Sequence, residues 1–384
     1  MFLPVLLAAA GCGERFPVTS GSGPGGGTPG QWLQLAAGRE QTCGLFSQGV
    51  PYCWGSNDSG EVGDGTTIAA RYTPQLVASG FRFQSVAAGG SHNCGISSGA
   101  AFCWGNNVQA QLGDGTTSNR SVPVSVNGGL VFAQLSGGAS YSCGVATTGS
   151  AYCWGDNSAG ELGVGDMTRR GQPTLVGGFL ALTFASVSAG DWSASYHACG
   201  VTPSSVAYCW GDNAVGALGT GDTVRHTLPV AVTGSVTFAS VSAGGPHSCA
   251  LTAAGAAYCW GGNAYGELGT GDTTQRLTPI AVVGGLVFDT LTAGGAHTCA
   301  LASGVAYCWG YNAFGQLGVG DTLPRTAPTL VAEGLSFQSL AAGFDHTCGI
   351  TTGGTAYCWG RNLQGQLGDN TTSNRSQPVA VQNP

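Results

Sequence analysis

An all-β, seven-bladed propeller of four-stranded antiparallel blades is the fold this sequence predicts, on three observations. The triplet Cys-Trp-Gly occurs seven times, beginning at Cys53, Cys103, Cys153, Cys209, Cys259, Cys308 and Cys358. Successive copies lie 50, 50, 56, 50, 49 and 50 residues apart. Each interval holds four short β-rich runs parted by glycine-rich connections, with no helical periodicity. A unit of this size cannot bury its own apolar face, so the copies must stack on one another. A ring of small four-stranded sheets satisfies that need.

The elements follow in order within the third interval. Pro123–Val126 reads as one strand, Val131–Leu135 as a second, Ser142–Val145 as a third and Ala151–Trp154 as a fourth. The propeller is expected over residues 31–384. The chain enters it at Trp32–Leu35, which matches the second run, and leaves at Pro378–Val381, which matches the first. The expected closure therefore pairs the C-terminal strand with the N-terminal ones in one shared blade, hiding two sheet edges.

Composition narrows the function. Only 8% of residues are charged, and the twelve cations, all arginine, face nineteen acids for a net charge of −7. That balance suits neither the phosphate backbone of nucleic acid nor an anionic membrane surface. The 68 glycines sit at recurring offsets, so they read as turns rather than disorder.

Fourteen of the fifteen cysteines form seven couples nine or ten residues apart: Cys43/Cys53, Cys94/Cys103, Cys143/Cys153, Cys199/Cys209, Cys249/Cys259, Cys299/Cys308 and Cys348/Cys358. Buried free thiols would not explain why both members always occur together. In a hairpin the two fall opposite each other, at about the 5.5 Å Cα separation a disulfide accepts. Disulfides are the expected state, each worth roughly 2–3 kcal/mol in the chain-entropy model. No four ligands group at zinc spacing, and neither metal nor cofactor is expected.

Five histidines, His92, His197, His247, His297 and His346, stand two residues before the first cysteine of a couple, and Gln41 and Tyr141 fill that slot in the other two repeats. Glutamine and tyrosine replace imidazole as hydrogen-bond partners but are poor zinc ligands, so a structural hydrogen bond to the adjacent loop is expected rather than a metal ring. The loop after each tryptophan carries an acid (Asp64, Asp114, Asp166, Asp222, Asp272, Asp321 or Asp369). Three residues before a proline stands Arg71, Arg120, Arg170, Arg276, Arg325 or Arg375, with His226 beside Arg225 in the fourth repeat. Recurrent Asp and Arg suggest pairs bracing each loop, since guanidinium geometry suits a carboxylate. The acids lack calcium-loop spacing. The seven tryptophans read as packing between units.

The fourth repeat is longer by six residues, two near Phe179 to Thr183 and four within Gly190–His197. Asp191, Trp192 and Tyr196 in that insertion form the candidate binding loop, because unpaired aromatic side chains in a lengthened loop resemble interface anchors. Strand alternation puts it on the same axial face as the Asp/Arg loops.

Taken together the unit F-x-S-V-x-A-G-x-x-H-x-C-x-L, A-Y-C-W-G-x-N-x-x-G-x-L-G-x-G-D-T and R-x-x-P-x-x-V resembles the regulator of chromosome condensation repeat over about residues 32–382. The resemblance implies a seven-bladed propeller. In that family some eukaryotic members are exchange factors for a small GTPase, and a secreted bacterial relative inhibits β-lactamases. No residue here can be carried over as an exchange site. The cysteine couples are an addition to the commoner pattern.

The apolar run Leu3–Ala10 followed by Gly11 and Cys12 resembles the lipobox of bacterial lipoproteins, though it lacks a cationic n-region. That resemblance implies a signal peptide over residues 1–11, a lipid on Cys12 and a flexible Gly/Ser/Pro tether through residue 30. The run is too short to span a bilayer. Oxidising surroundings would suit the cysteine couples.

The functional expectation is a non-enzymatic, monomeric binding scaffold, exported and lipid-anchored at the bacterial cell envelope. It would recognise a protein or surface glycan through loops on one axial face. Enzyme inhibition or nucleotide exchange stand as alternatives by resemblance. A propeller hydrolase or lyase would need an acid–base pair in the channel, and none can be named. No nucleophile elbow, phosphate-cradling loop or zinc-protease helix is present in the sequence.

Overall fold

In the computed structural model, residues 30–180, 182–191, 196–332 and 334–384 are described. The first blade runs β1 (Trp32–Ala37), β2 (Gln41–Phe46), β3 (Val50–Gly55) and β4 (Arg71–Leu76), paired antiparallel in that order. Six further sheets repeat the pattern, each from four consecutive strands, so the fold is all-β with seven blades. β1 and its equivalents touch one another around the axis. They are inner edge strands, which neighbouring side chains protect. Gln34 of blade 1 accepts from the Val86 amide and donates to the Val86 carbonyl of blade 2, at 2.9 and 3.1 Å.

The closure differs from the sequence expectation. The C-terminal strand Arg375–Ala380 pairs with Ala356–Gly360 of its own blade, and no blade is shared between the termini. The Arg-x-x-Pro strand folds back on the Cys-Trp-Gly strand before it, with Gly360 opposite Arg375 and Tyr357 opposite Ala380. It is therefore the last, outer strand of a blade and not the first of the next. Proline explains the choice, because residues such as Pro74 and Pro378 lack an N–H and belong on an edge.

The ring closes instead by the device used at every other junction. Trp32, Leu35 and Trp54 of blade 1 pack with Ile350, Leu367 and Val381 of blade 7 in one buried cluster. The Trp32 amide donates to the Gly354 carbonyl at 3.0 Å, and the Phe344 amide to Gly38 at 3.1 Å.

All seven cysteine couples are joined as disulfides across the second and third strands. Partners stand directly opposite, as Cys43 does to Cys53. Their Cα atoms are 4.0–4.1 Å apart, nearer than expected. That is the spacing of a non-hydrogen-bonded pair, where side chains come closest.

Candidate binding face at the channel mouth

The seams between blades fix what remains available for binding. Between blades 5 and 6, Thr298 donates its hydroxyl to the Glu267 carbonyl at 2.9 Å, and Trp309 donates Nε1–H to the same oxygen at 3.0 Å. The His247 Nε2 lies 2.8 Å from the Thr298 oxygen. A hydroxyl has one proton and Thr298 has given it to Glu267, so the imidazole must be the donor. His247 is thus the Nε2–H tautomer, with Nδ1 buried and unpartnered.

The same triad recurs with His92, Ser142 and Gln111, and crosses the closure with His346, Thr42 and Gln366. Burial holds His92 at about 4 and His247, His297 and His346 at about 3, so all four are neutral. Gln41 and Tyr141 serve the slot by donating to the Gly89 and His197 carbonyls at 2.8 and 2.6 Å. The expected structural role is right in kind, but the partner is the neighbouring blade's hydroxyl or carbonyl. Sequence reasoning missed the hydroxyl residue one position after this slot, Thr42, Ser142, Ser248, Thr298 and Thr347, whose recurrence was the available signal.

The Asp/Arg loops are braced as expected. Six pairs close at 2.6–2.8 Å, including Arg71–Asp64, Arg170–Asp166 and Arg375–Asp369. In the fourth blade His226 stands 3.7 Å from Asp222. The acids occupy two registers. Asp64, Asp114 and Asp369 follow the Val-Gly or Leu-Gly step at once and receive both Nε and an Nη or hydroxyl donor. Asp166, Asp272 and Asp321 lie two residues later and take Nη2, while Nη1 caps a main-chain carbonyl. Hydrogen bonds from Arg170 and the Thr168 amide hold Asp166 below the usual carboxylate range.

These loops and the turns between inner and second strands share one axial face, where the Asp212 amide donates to the Tyr196 carbonyl at 2.7 Å. At its centre the channel opens in a cavity of about 150 Å³. Alanine, glycine, serine and threonine line it, and Asp191 is the one ionisable group among the described residues that line it. Asp191 is partly exposed as a residue, but its Oδ1 is sealed from solvent without a hydrogen-bond partner. Burial pushes its carboxyl up to about 6, with Arg39 opposing and Asp345 adding to the rise.

Of the predicted loop, Tyr196 is half-buried. Burial raises its phenol, and Asp156 and Glu161 add to that. Trp192 and Cys12 lie outside the described residues.

The face is chemically lopsided. Blades 3 and 4 carry Asp156 and Asp212, whereas the buried slot of Glu161, which burial raises to about 7, also holds Glu61 in blade 1 and Glu267 in blade 5. Across the axis an aromatic and guanidinium arc joins blades 5, 6, 7 and 1. Tyr265 meets Tyr311 at 4.6 Å, and Tyr311 meets Phe314 at 6.1 Å. Arg361 lies 5.4 Å over Phe314 and pairs with Glu40 and Asp345 at 3.3 and 3.5 Å. Arg39 covers Phe344 at 4.6 Å. The sequence reading missed this arc. Tyr311 and Arg361 fill the slot Trp-Gly-x-Asn, where other blades hold Ser56, Asn106, Asp156, Asp212 and Gly262. A slot-by-slot search for chemical outliers would have found them.

Among the described residues no cluster of three or more His, Cys, Asp or Glu could hold a metal ion. None of their helices is long and apolar enough to cross a membrane.

The molecule is thus a repeat-built propeller that keeps constant chemistry in its seams and varied chemistry on one axial face. The regulator of chromosome condensation (RCC1) repeat matches residues 48–96, 98–145, 148–195, 206–251, 254–301, 303–350 and 353–384. The chain belongs to that family. A 65-residue stretch is 38% identical to the probable E3 ubiquitin-protein ligase HERC4 of Homo sapiens, covering 16% of this chain and 6% of that protein. The chain therefore spans a small fraction of the curated relatives it matches. Human WBSCR16 superposes with a TM-score of 0.78 at 21% identity, over 87% of this chain and 94% of the other. Prp20p of Saccharomyces cerevisiae, a protein studied for its binding to Gsp1p and histones, superposes with a TM-score of 0.76 at 20% identity, over 92% and 88%. At such identities the likeness is one of fold.

Proposed function

We propose that the chain is an exported, non-enzymatic scaffold that binds a protein through the axial face bearing the Asp/Arg loops. The observation that carries this reading is the aromatic and guanidinium arc of Tyr265, Tyr311, Phe314 and Arg361. Aromatic and arginine side chains concentrate binding energy at protein interfaces. Tyr265 is 43% exposed, so the arc is open to a partner. Prp20p, a similar ring, is a protein binder by its description, which favours protein over surface glycan as the ligand class. Loops on a sheet framework held by disulfides can vary without unfolding it.

The seven disulfides suit an oxidising compartment, and a lipid on Cys12 would keep the ring at the bacterial cell envelope. Intact-mass measurement on cell-derived protein tests this. A lipid-sized increment on the Cys12 fragment is expected, and an unmodified thiol there removes the anchor.

Binding is tested by placing a photo-crosslinking phenylalanine at position 265, and separately at Val287, which is 64% exposed in the connection between an outer and the next inner strand. Protein adducts are expected from position 265 and not from 287. Adducts only from 287, or only with carbohydrate, overturn the reading.

A further inference from the structure

Asp191 poses a chemical problem that the scaffold reading leaves open. A carboxylate oxygen is buried without a hydrogen bond, at the wall of a cavity of about 150 Å³. A void needs only about 10–15 Å³ by this kind of measure to admit one water, so the space accepts a small group. We propose that this axial pit binds a primary ammonium group, with Asp191 as its counter-ion. The inference deepens the protein-binding reading, since a lysine side chain of the partner would supply such a group, and it rests on the same face.

The surroundings select this chemistry in four ways. First, the walls are short. Ser188, Ser242 and Thr292 alternate with alanine and glycine, so no side chain of the described residues fills the space. Second, hydroxyl oxygens ring the axis. Ser136, Ser188, Ser242 and Thr292 accept the amides of Ala189, Ala243, Ala293 and Ala342 at 2.9–3.3 Å. A hydroxyl oxygen has two lone pairs, so each keeps capacity to accept from an N–H donor. Third, the described residues hold no group of three or more His, Cys, Asp or Glu side chains that could hold a metal ion. Fourth, a guanidinium prefers a forked pair of acceptors, whereas the unpartnered acceptor here is the single Oδ1. An ammonium offers three rotatable donors from one compact charge.

The charged groups facing Asp191 are Arg39 and Asp345. The Arg39 guanidinium lies over Phe344, and Asp345 is engaged by Arg361, so Oδ1 stays unpartnered despite both neighbours. Burial, opposed by Arg39 and reinforced by Asp345, leaves the carboxyl at about 6, and a bound cation would favour its ionised form. Binding should therefore strengthen as pH rises through about 6.

The test titrates the full chain with n-butylammonium chloride at constant ionic strength, read by backbone amide shifts. Saturable shifts confined to Gly190, Gly244, Gly294 and Gly343 are expected at millimolar concentration, the scale of so small a ligand. Tetramethylammonium, which has the charge but no N–H, is expected to give none. Asp191→Asn should weaken the response at least tenfold. The wild type should lose affinity about tenfold per pH unit below 6.

Three results would each overturn the pit: no localised saturation by butylammonium, equal binding of tetramethylammonium, or an undiminished response in a normally folded Asp191→Asn. If that variant fails to fold, the wild-type pH profile decides, because a flat profile excludes Asp191 as counter-ion. Loss of the amine response with crosslinking at position 265 intact removes the pit alone. The reverse result removes the protein-binding reading and leaves the pit.

Discussion

The seam between blades 5 and 6 and the mouth of the channel both bury polar groups, yet they treat them oppositely. At the seam, Trp309 and Thr298 both donate to the Glu267 carbonyl and His247 donates to Thr298. Only the neutral Nδ1 lone pair of His247 lacks a partner. Among the described residues that line the channel mouth the unpartnered atom is an oxygen of an ionisable carboxyl, Asp191 Oδ1. A lone pair on a neutral ring is cheap to bury, while an unpaired charge is expensive. This seam is therefore a finished structural joint, and its histidine-to-hydroxyl hydrogen bond recurs at His92, His197, His297 and His346. The mouth stores a free-energy penalty that a ligand can relieve.

The largest effect should come from breaking a seam. Trp260 is fully buried and donates to the Ala217 carbonyl of the blade before it at 2.9 Å. Trp260→Ala removes the ring from an interior cluster and leaves that carbonyl with only Ser248 as donor. A loss of about 3–5 kcal/mol is expected, read by denaturant unfolding. Tyr265→Ala on the axial face should change stability by less than about 0.5 kcal/mol, since it removes a surface ring. Equal losses from the two variants would dissolve the distinction between seam and face.

Much of this contrast was legible in the sequence, and the reasons are specific. The Cys-Trp-Gly period gave the blade count, because every blade needs the same tryptophan against its neighbour. The cysteine couples pointed to hairpins because opposing strand positions recur at fixed separation. Gln41 and Tyr141 in the histidine slot pointed to a shared hydrogen-bonding role, and both donate to carbonyls of the neighbouring blade. The blade boundary was not legible, since an edge strand reads alike as the first of one sheet or the last of another. Only the pairing of Tyr357 with Ala380 settles it. The channel mouth was hidden for a different reason. Alanine and glycine at strand ends look like turn chemistry, and a cavity arises only when seven such ends converge on one axis.

The second effect concerns acid. A histidine held near 3 when folded and near 6.5 when unfolded takes up its proton only on unfolding. Its contribution to stability is complete above pH 6.5 and is lost as pH falls toward 3. Carboxyls raised by burial, such as Glu161 at about 7, act with the opposite sign. Their contribution is present below the unfolded value and lost as pH rises through the folded one. The two regions therefore oppose each other between about pH 4.5 and 6.5, and the wild-type curve should be shallow there. His297→Gln, which copies the residue at position 41, should retain the seam. It should make stability in this window rise more steeply on acidification, by up to about 1.4 kcal/mol per pH unit. A variant curve parallel to wild type would mean that His297 is protonated when folded.

The smallest effect tests the mouth itself. Asp191→Asn keeps the shape of the side chain and removes its charge. At pH 8 the wild-type carboxyl is ionised in both states, and in the folded state its Oδ1 is buried without a partner. At pH 4 the folded carboxyl is neutral, because its value stands near 6. The group's favourable contribution is therefore lost as pH rises from the unfolded value of 3.8 through the folded value of about 6, the sign expected of a raised carboxyl. The variant should gain about 1 kcal/mol over wild type at pH 8 and almost nothing at pH 4, measured by paired denaturant titrations. A ligand that supplies an ammonium should erase that gain by stabilising the wild type alone. If the variant is less stable than wild type at pH 8, Asp191 is already satisfied within the ring, and the mouth is a joint of the same kind as the seams.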